Sequence, residues 1–154
     1  NRFLSGIVEG LSAKVFRTWH ATAIAESHLR GVDVKERDEL EKIYLAKMAN
    51  LEDAVFCNHK RTPTKNWEES LAKKIQRLDT LMNAPKKTKS QEERVKALQL
   101  KIKEIKDTRD YNLRTSLKSY IDPRIYYSWG KTIDFDWKLY YPKTLQTKFS
   151  WVEK

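Results

Sequence analysis

Three short stretches hold the side chains best suited to chemistry. They are Lys14-Val15-Phe16-Arg17-Thr18, Cys57-Asn58-His59-Lys60-Arg61, and Thr115-Ser116-Leu117-Lys118-Ser119-Tyr120-Ile121-Asp122-Pro123-Arg124. A guanidinium and an imidazole suit an anion, and a phenol becomes a nucleophile once it loses its proton, which at an ordinary pKa near ~10 requires help. Taken singly, each also has a structural explanation. Arg17 could serve an ion pair, His59 could end a helix where a cation meets the dipole, and Tyr120 could be one of seven packing tyrosines.

Other chemistries are poorly provided for. There is no His-Glu-x-x-His, no acidic cluster with metal spacing and no serine elbow. His20 and His28 lie eight apart on a weak helix and read as surface or core histidines. The single Cys57 excludes an internal disulfide and a Cys-rich zinc site, and fits a reducing compartment. Gly6, Gly10, Gly31 and Gly130 cannot build a Walker or Rossmann phosphate loop. No apolar run approaches the ~20 residues that cross a bilayer. No signal peptide is expected at Asn1-Arg2-Phe3-Leu4, and a first residue other than Met suggests a fragment or processed chain.

The elements that must position these groups are helices, giving a mainly α fold. Phe3, Leu4, Ile7 and Val8 open a helix-like start, and Leu11 to Phe16 reads as a short buried stretch. Ala21 to Leu29 is a weak helix, and Val34 to Cys57 is largely helical through Leu40, Ile43, Tyr44, Leu51 and Val55, until Pro63 breaks the pattern. Trp67, Leu71, Ile75, Leu78 and Met82 step by four, four, three and four. Ala84-Pro85-Lys86-Lys87-Thr88 stops that helix, and Ser90 to Glu93 reads as a capping box. Val95, Leu98, Ile102 and Ile105 continue the seam, so the sequence predicts a protruding antiparallel coiled-coil hairpin with little core of its own. Asp122-Pro123 is an N-cap followed by proline at the first helical position. A last short helix starts at Lys143-Thr144 with Leu145, Phe149 and Val152 inward.

Charge and aromatic content divide the 154 residues into three pieces. Residues 1–62 carry net +1, residues 63–111 net +5 and residues 112–154 net +4, which accounts for the total of +10. A basic excess of this kind attracts a polyanion, nucleic acid or anionic membrane. Nine aromatic residues fall between Ile121 and Lys154, against eight in the preceding 120. That concentration reads as a small core rather than a base-stacking surface.

Together the three stretches resemble the C-terminal part of eukaryotic-type (type IB) DNA topoisomerases. Gly10 to Thr18 is similar to that family's second catalytic-arginine segment, and Ala49-Asn50 with Ala54 to Arg61 to its histidine segment. Thr115-Ser116 and Tyr120 to Ile125 are similar to its tyrosine segment, and Lys148-Phe149-Ser150-Trp151 to its C-terminal Lys-Phe-x-Trp. A coiled-coil linker between the histidine and tyrosine segments is also a family feature. The resemblance implies a core segment over 1–62, a linker hairpin over 63–111 and a tyrosine domain over 112–154. Two details depart from the pattern. The basic residue before the tyrosine, Lys118, has moved one place, and Ser119 replaces the usual Asn beside the site where camptothecin-type poisons stack.

The resemblance implies relaxation of supercoiled double-stranded DNA. Tyr120 would attack a phosphodiester, Arg17 and His59 would hold its non-bridging oxygens, and Lys14, Asn58, Arg61, Thr115 and Ser116 would contact DNA. Neither ATP nor a metal is required on this reading, although a divalent cation could stimulate. The family's first catalytic Arg, its catalytic Lys and its clamp lie upstream of the arginine segment, so an upstream segment or second chain is the expected partner. Residues 3–18 and 49–57 should then show it an apolar face. The implied location is intracellular and DNA-associated, in the nucleus or an archaeal nucleoid. A tyrosine recombinase and a noncatalytic coiled-coil DNA-binding module are the alternatives.

Overall fold

The computed structural model describes residues 2–34, 36–85 and 88–154. Eight α-helices follow in order: α1 (Arg2–Ile7), α2 (Ala13–Gly31), α3 (Glu39–Phe56), α4 (Trp67–Met82), α5 (Lys89–Asp107), α6 (Leu113–Ser119), α7 (Pro123–Ile133) and α8 (Lys143–Lys148). Among the described residues there is no strand, only one antiparallel bridge between Lys60 and Tyr111. The chain divides into two compact units, residues 1–60 with 111–154, and residues 61–110. The first and last pieces of the sequence, read there as separate, thus pack as one body.

In the larger unit α2 packs on α3 and α7, and α3 packs on α6. Ala21, Ala25 and Leu29 step by four along α2 and meet Ala46 and Ala49 of α3 in the core. Small residues at such a seam let two helix backbones approach closely. The aromatic residues complete this core, as their density suggests. Tyr126, Trp129, Phe135, Trp137, Tyr141 and Phe149 are all buried. Several meet edge to face, Trp137 and Tyr141 at 4.9 Å and Trp129 and Phe135 at 5.5 Å, an arrangement worth about 0.5–1.5 kcal/mol per pair beyond burial. The Tyr126 hydroxyl donates to the Ala46 carbonyl at 3.2 Å, so its burial leaves no orphan donor. Burial also holds that phenol well above its ordinary pKa.

Local chemistry sets the helix ends. Asp38 caps α3 in a capping box with Glu41. Asp122 caps α7 by accepting from Arg124 N at 2.9 Å, with Pro123 at the first position, as the sequence predicts. The box that starts α5 is Thr88 with Gln91, two residues before the expected Ser90, which is already helical. Both pairs satisfy the Ser/Thr-x-x-Glu/Gln pattern, and the earlier one wins because it lets the helix begin sooner. Lys86 and Lys87 of the expected helix stop lie outside the described residues. Gly10 takes φ +77 in the turn between α1 and α2, a left-handed conformation that suits glycine.

The stretch from Leu11 to Phe16 is not a buried segment. Ser12 begins α2 in extended backbone, and from Ala13 to Phe16 every residue is exposed. The expected apolar face is present there, with Phe3 78% exposed, Trp19 66% and Ile7, Val8, Val15 and Phe16 close behind. At the end of α3 only Val55 and Phe56 share it. Ala49, Asn50, Asp53 and Ala54 turn inward.

Gly130 is the tightest packing position. A Cβ there would stand 2.3 Å from the Phe135 carbonyl oxygen, whose own amide donates to Gly130 O at 2.8 Å. The turn through Asp134, at φ 51, cannot retreat without breaking that bond. Gly130→Ala should therefore destabilise the larger unit by roughly 1–3 kcal/mol, the usual cost of overpacking. Chemical denaturation checks this, and an unchanged midpoint would show that the turn yields freely.

In the smaller unit α4 and α5 lie against each other and run antiparallel, since Trp67 meets Arg109 while Leu81 borders one cavity with Ala97 and Leu98. α4 has no buried residue and α5 only Ile102. Leu81 takes the inward place expected of Met82, which is 44% exposed, and Ile75 is 36% exposed. The seam is narrow, as its sequence implies.

Candidate active site

His59 is held in place by its backbone and its ring. Past the C-terminus of α3 the chain turns through Asn58 in the left-handed region, φ 55. The His59 amide donates to Ala54 O at 2.8 Å, and its carbonyl accepts from Asn112 N at 2.8 Å, just before α6. The ring nitrogen Nδ1 lies 2.7 Å from Ser116 Oγ. Asn50 reinforces this junction by donating from Nδ2 to the Leu113 carbonyl at 3.0 Å and to Tyr140 Oη at 2.7 Å.

Tyr120 closes α6. Its amide and that of Ile121 both donate to Ser116 O, at 2.9 and 3.1 Å. The phenol ring stands 4.9 Å from the His59 ring, centroid to centroid. The Arg17 guanidinium carbon lies 5.8 Å from the centroid of the same phenol ring. Arg17 makes no ion pair among the described residues, so a purely structural salt bridge is not its role here. Arg17, His59 and Tyr120, 103 residues apart at their extremes, are thus neighbours.

The electrostatics favour a neutral imidazole. Partial burial lowers the His59 pKa, Arg17 lowers it further, and Asp53 opposes both. The nearby Cys57 thiol is pushed up to about 12, first by burial and then by its bond to Asp53 at 3.3 Å, so it stays protonated and unreactive. Asp53 is itself fully buried, with Oδ2 lacking a hydrogen-bond partner among the described residues. Sequence reading overlooked Asp53. Its signal was its place four residues before Cys57, one helical turn away.

The side chains expected at DNA divide into two groups. Lys14 and Asn58 are exposed and Thr115 half-buried. Ser116 is fully buried, and its hydroxyl meets His59 instead of solvent. Arg61 belongs to the smaller unit, where Nε and a terminal nitrogen donate to the carbonyls of Arg109 and Thr108 at 3.1 and 3.0 Å. Those carbonyls end α5 and have no intrahelical donor, so Arg61 clasps the base of the hairpin. Among the described residues no group of three or more His, Cys, Asp or Glu could hold a metal, and no helix is long and apolar enough to cross a membrane.

The helical scaffold thus gathers a phenol, an imidazole and a guanidinium that makes no ion pair among the described residues. Residues 1–93 match the catalytic core of eukaryotic DNA topoisomerase I, and residues 92–154 match the C-terminal topoisomerase domain. The chain belongs to the eukaryotic DNA topoisomerase I family. It is 34% identical to DNA topoisomerase 1 of Drosophila melanogaster and 32% identical to that of Homo sapiens, in each case over 98% of this chain. It is 31% identical to the mitochondrial DNA topoisomerase I of Rattus norvegicus, again over 98%. The chain spans only 17%, 24% and 30% of the lengths of these three relatives.

Proposed function

We propose that this chain is the C-terminal catalytic part of a type IB DNA topoisomerase, relaxing supercoiled double-stranded DNA by transient single-strand cleavage. The observation that carries this reading is the convergence of Arg17, His59 and Tyr120 from three distant segments. The deprotonated Tyr120 oxygen attacks a DNA phosphorus, forms a 3′-phosphotyrosyl bond and expels the 5′ hydroxyl. The free strand rotates, and the hydroxyl attacks back and releases Tyr120. The phosphodiester linkage is exchanged and never hydrolysed, so ATP is not consumed and no cofactor is required. Arg17 binds non-bridging oxygens bidentately, as a planar guanidinium does. His59, neutral, donates one further hydrogen bond to the charge that builds there. Lys14, Asn58 and Thr115 lie near enough in sequence to these groups to position the phosphate backbone, contacts that carry no sequence information.

The reading includes an upstream segment or second chain that supplies the remaining cationic groups. The exposed Phe3, Ile7, Val8, Val15, Phe16 and Trp19 suit packing against it, since so many large apolar side chains left in water favour burial on a partner. The 154 residues alone should therefore lack relaxation activity, and addition of the upstream portion should restore it. A plasmid relaxation assay tests this, and full relaxation by the isolated chain would overturn it. The DNA-bound enzyme would reside with chromosomal DNA, in the nucleus of a eukaryote.

The helical hairpin is proposed as a coiled-coil linker that meets DNA downstream of the cut. Residues 66–108 carry net +4 and none of the three catalytic candidates. Deleting them should leave cleavage intact while altering processivity. The slope of log affinity against log salt should flatten by ~0.9 for each phosphate that the shortened chain no longer neutralises. An unchanged slope would show that the hairpin does not touch DNA.

A further inference from the structure

Ser116 is fully buried beside the candidate active site, and its hydroxyl meets the His59 ring. Oγ lies 2.7 Å from His59 Nδ1, and among the described residues it has no other hydrogen-bond partner. A serine hydroxyl can donate one proton and accept others, while a neutral imidazole donates from one nitrogen and accepts at the other. Two arrangements are therefore open. If Nδ1–H donates to Oγ, the hydroxyl proton of Ser116 is left buried with no acceptor among the described residues, which is costly. If Oγ–H donates to Nδ1, both groups are satisfied, and the ring proton sits on Nε2.

We propose that Ser116 is a positioning residue that donates to His59 Nδ1, fixing the imidazole as the Nε2–H tautomer and presenting that N–H to a phosphate oxygen. The proposal rests on the phosphoryl-transfer reading above and deepens it. The same residue also aligns the nucleophile, because its carbonyl accepts from the amides of Tyr120 and Ile121 at 2.9 and 3.1 Å. One buried serine thus ties the hydrogen-bond donor and the phenol to a single turn of α6. The lowered pKa of His59 supports the neutral ring that this arrangement needs. The groups that bear on that ring are Arg17 from α2, Asp53 from α3 and Tyr120 at the end of α6. None of these three hydrogen-bonds to Nδ1. On this proposal the Ser116 hydroxyl serves His59 rather than a phosphate, the role that its sequence context suggested.

The tautomer is readable by nitrogen-15 NMR of the histidine ring in the 154-residue chain near pH 7.5. The expected result is an unprotonated Nδ1 and a protonated Nε2. In Ser116→Ala the two tautomers should mix. In the chain completed by its upstream portion, Ser116→Ala should slow covalent adduct formation by about tenfold, as expected for one hydrogen bond. The same change made in His59→Gln should add less than a twofold loss, since its effect passes through the imidazole. A protonated Nδ1 in the wild-type chain overturns the proposal whether or not the variant folds, and so do losses that multiply in the double variant. A wild-type assembly that forms no adduct while His59 keeps its Nε2 proton overturns the phosphoryl-transfer reading alone.

Discussion

Tyr120→Phe is expected to abolish covalent protein–DNA adduct formation in the assembled enzyme while leaving noncovalent DNA binding nearly intact. The substitution removes one oxygen, which is the nucleophile, and keeps the ring that lies 4.9 Å from His59 and near Arg17. The deleted hydroxyl has no hydrogen-bond partner among the described residues, so the fold is little weakened. A suicide DNA substrate, cut so that the released strand diffuses away, reports the adduct directly. Tyr127→Phe is the control, because Tyr127 sits on α7 with its ring against Lys131. Mass spectrometry should place the adduct on the peptide containing Tyr120. An adduct on another tyrosine, or one that survives the substitution, would displace the whole site assignment.

Arg17→Ala should slow both cleavage and religation by about 10²–10³, the usual effect of removing one donor aimed at developing charge. Both steps pass through the same charged phosphorus centre, so neither should be spared. Arg17 is exposed and makes no ion pair among the described residues, so the loss should not come through unfolding. Arg17→Lys keeps the charge but loses the planar two-pronged fork, and an intermediate rate is expected. Arg30→Ala supplies the comparison on the same helix. That guanidinium already pairs with Glu26 one turn away, and its removal should leave both rates unchanged. Single-turnover measurements of the two steps decide the matter, and an effect on cleavage alone would show that Arg17 serves substrate binding rather than the transition state.

Much of this protein is set locally. Periodicity placed α4 and α5, because an amphipathic helix needs only its own three- and four-residue spacings. Asp122-Pro123 started α7, because a cap is a contact within one turn. The candidates Arg17, His59 and Tyr120 stood out in three short stretches, through their residue types and the family resemblance that those stretches carry. What lay beyond local reading was the partner of each polar group. Ser116 and Arg61 look like solvent-facing polar residues in sequence, and only packing shows one sealed against His59 and the other clasping the carbonyls at the end of α5. Leu11 to Phe16 has the composition of a buried stretch, yet it opens a helix whose apolar side faces out, because burial depends on what else is present to cover it. The choice of Thr88 over Ser90 as cap turned on which of two equivalent local patterns the helix reached first. The union of residues 1–60 with 111–154 into one body is likewise tertiary. Hydrogen bonds such as those of Asn50 with Leu113 and Tyr140 join segments 63 and 90 residues apart, and no local spacing encodes them.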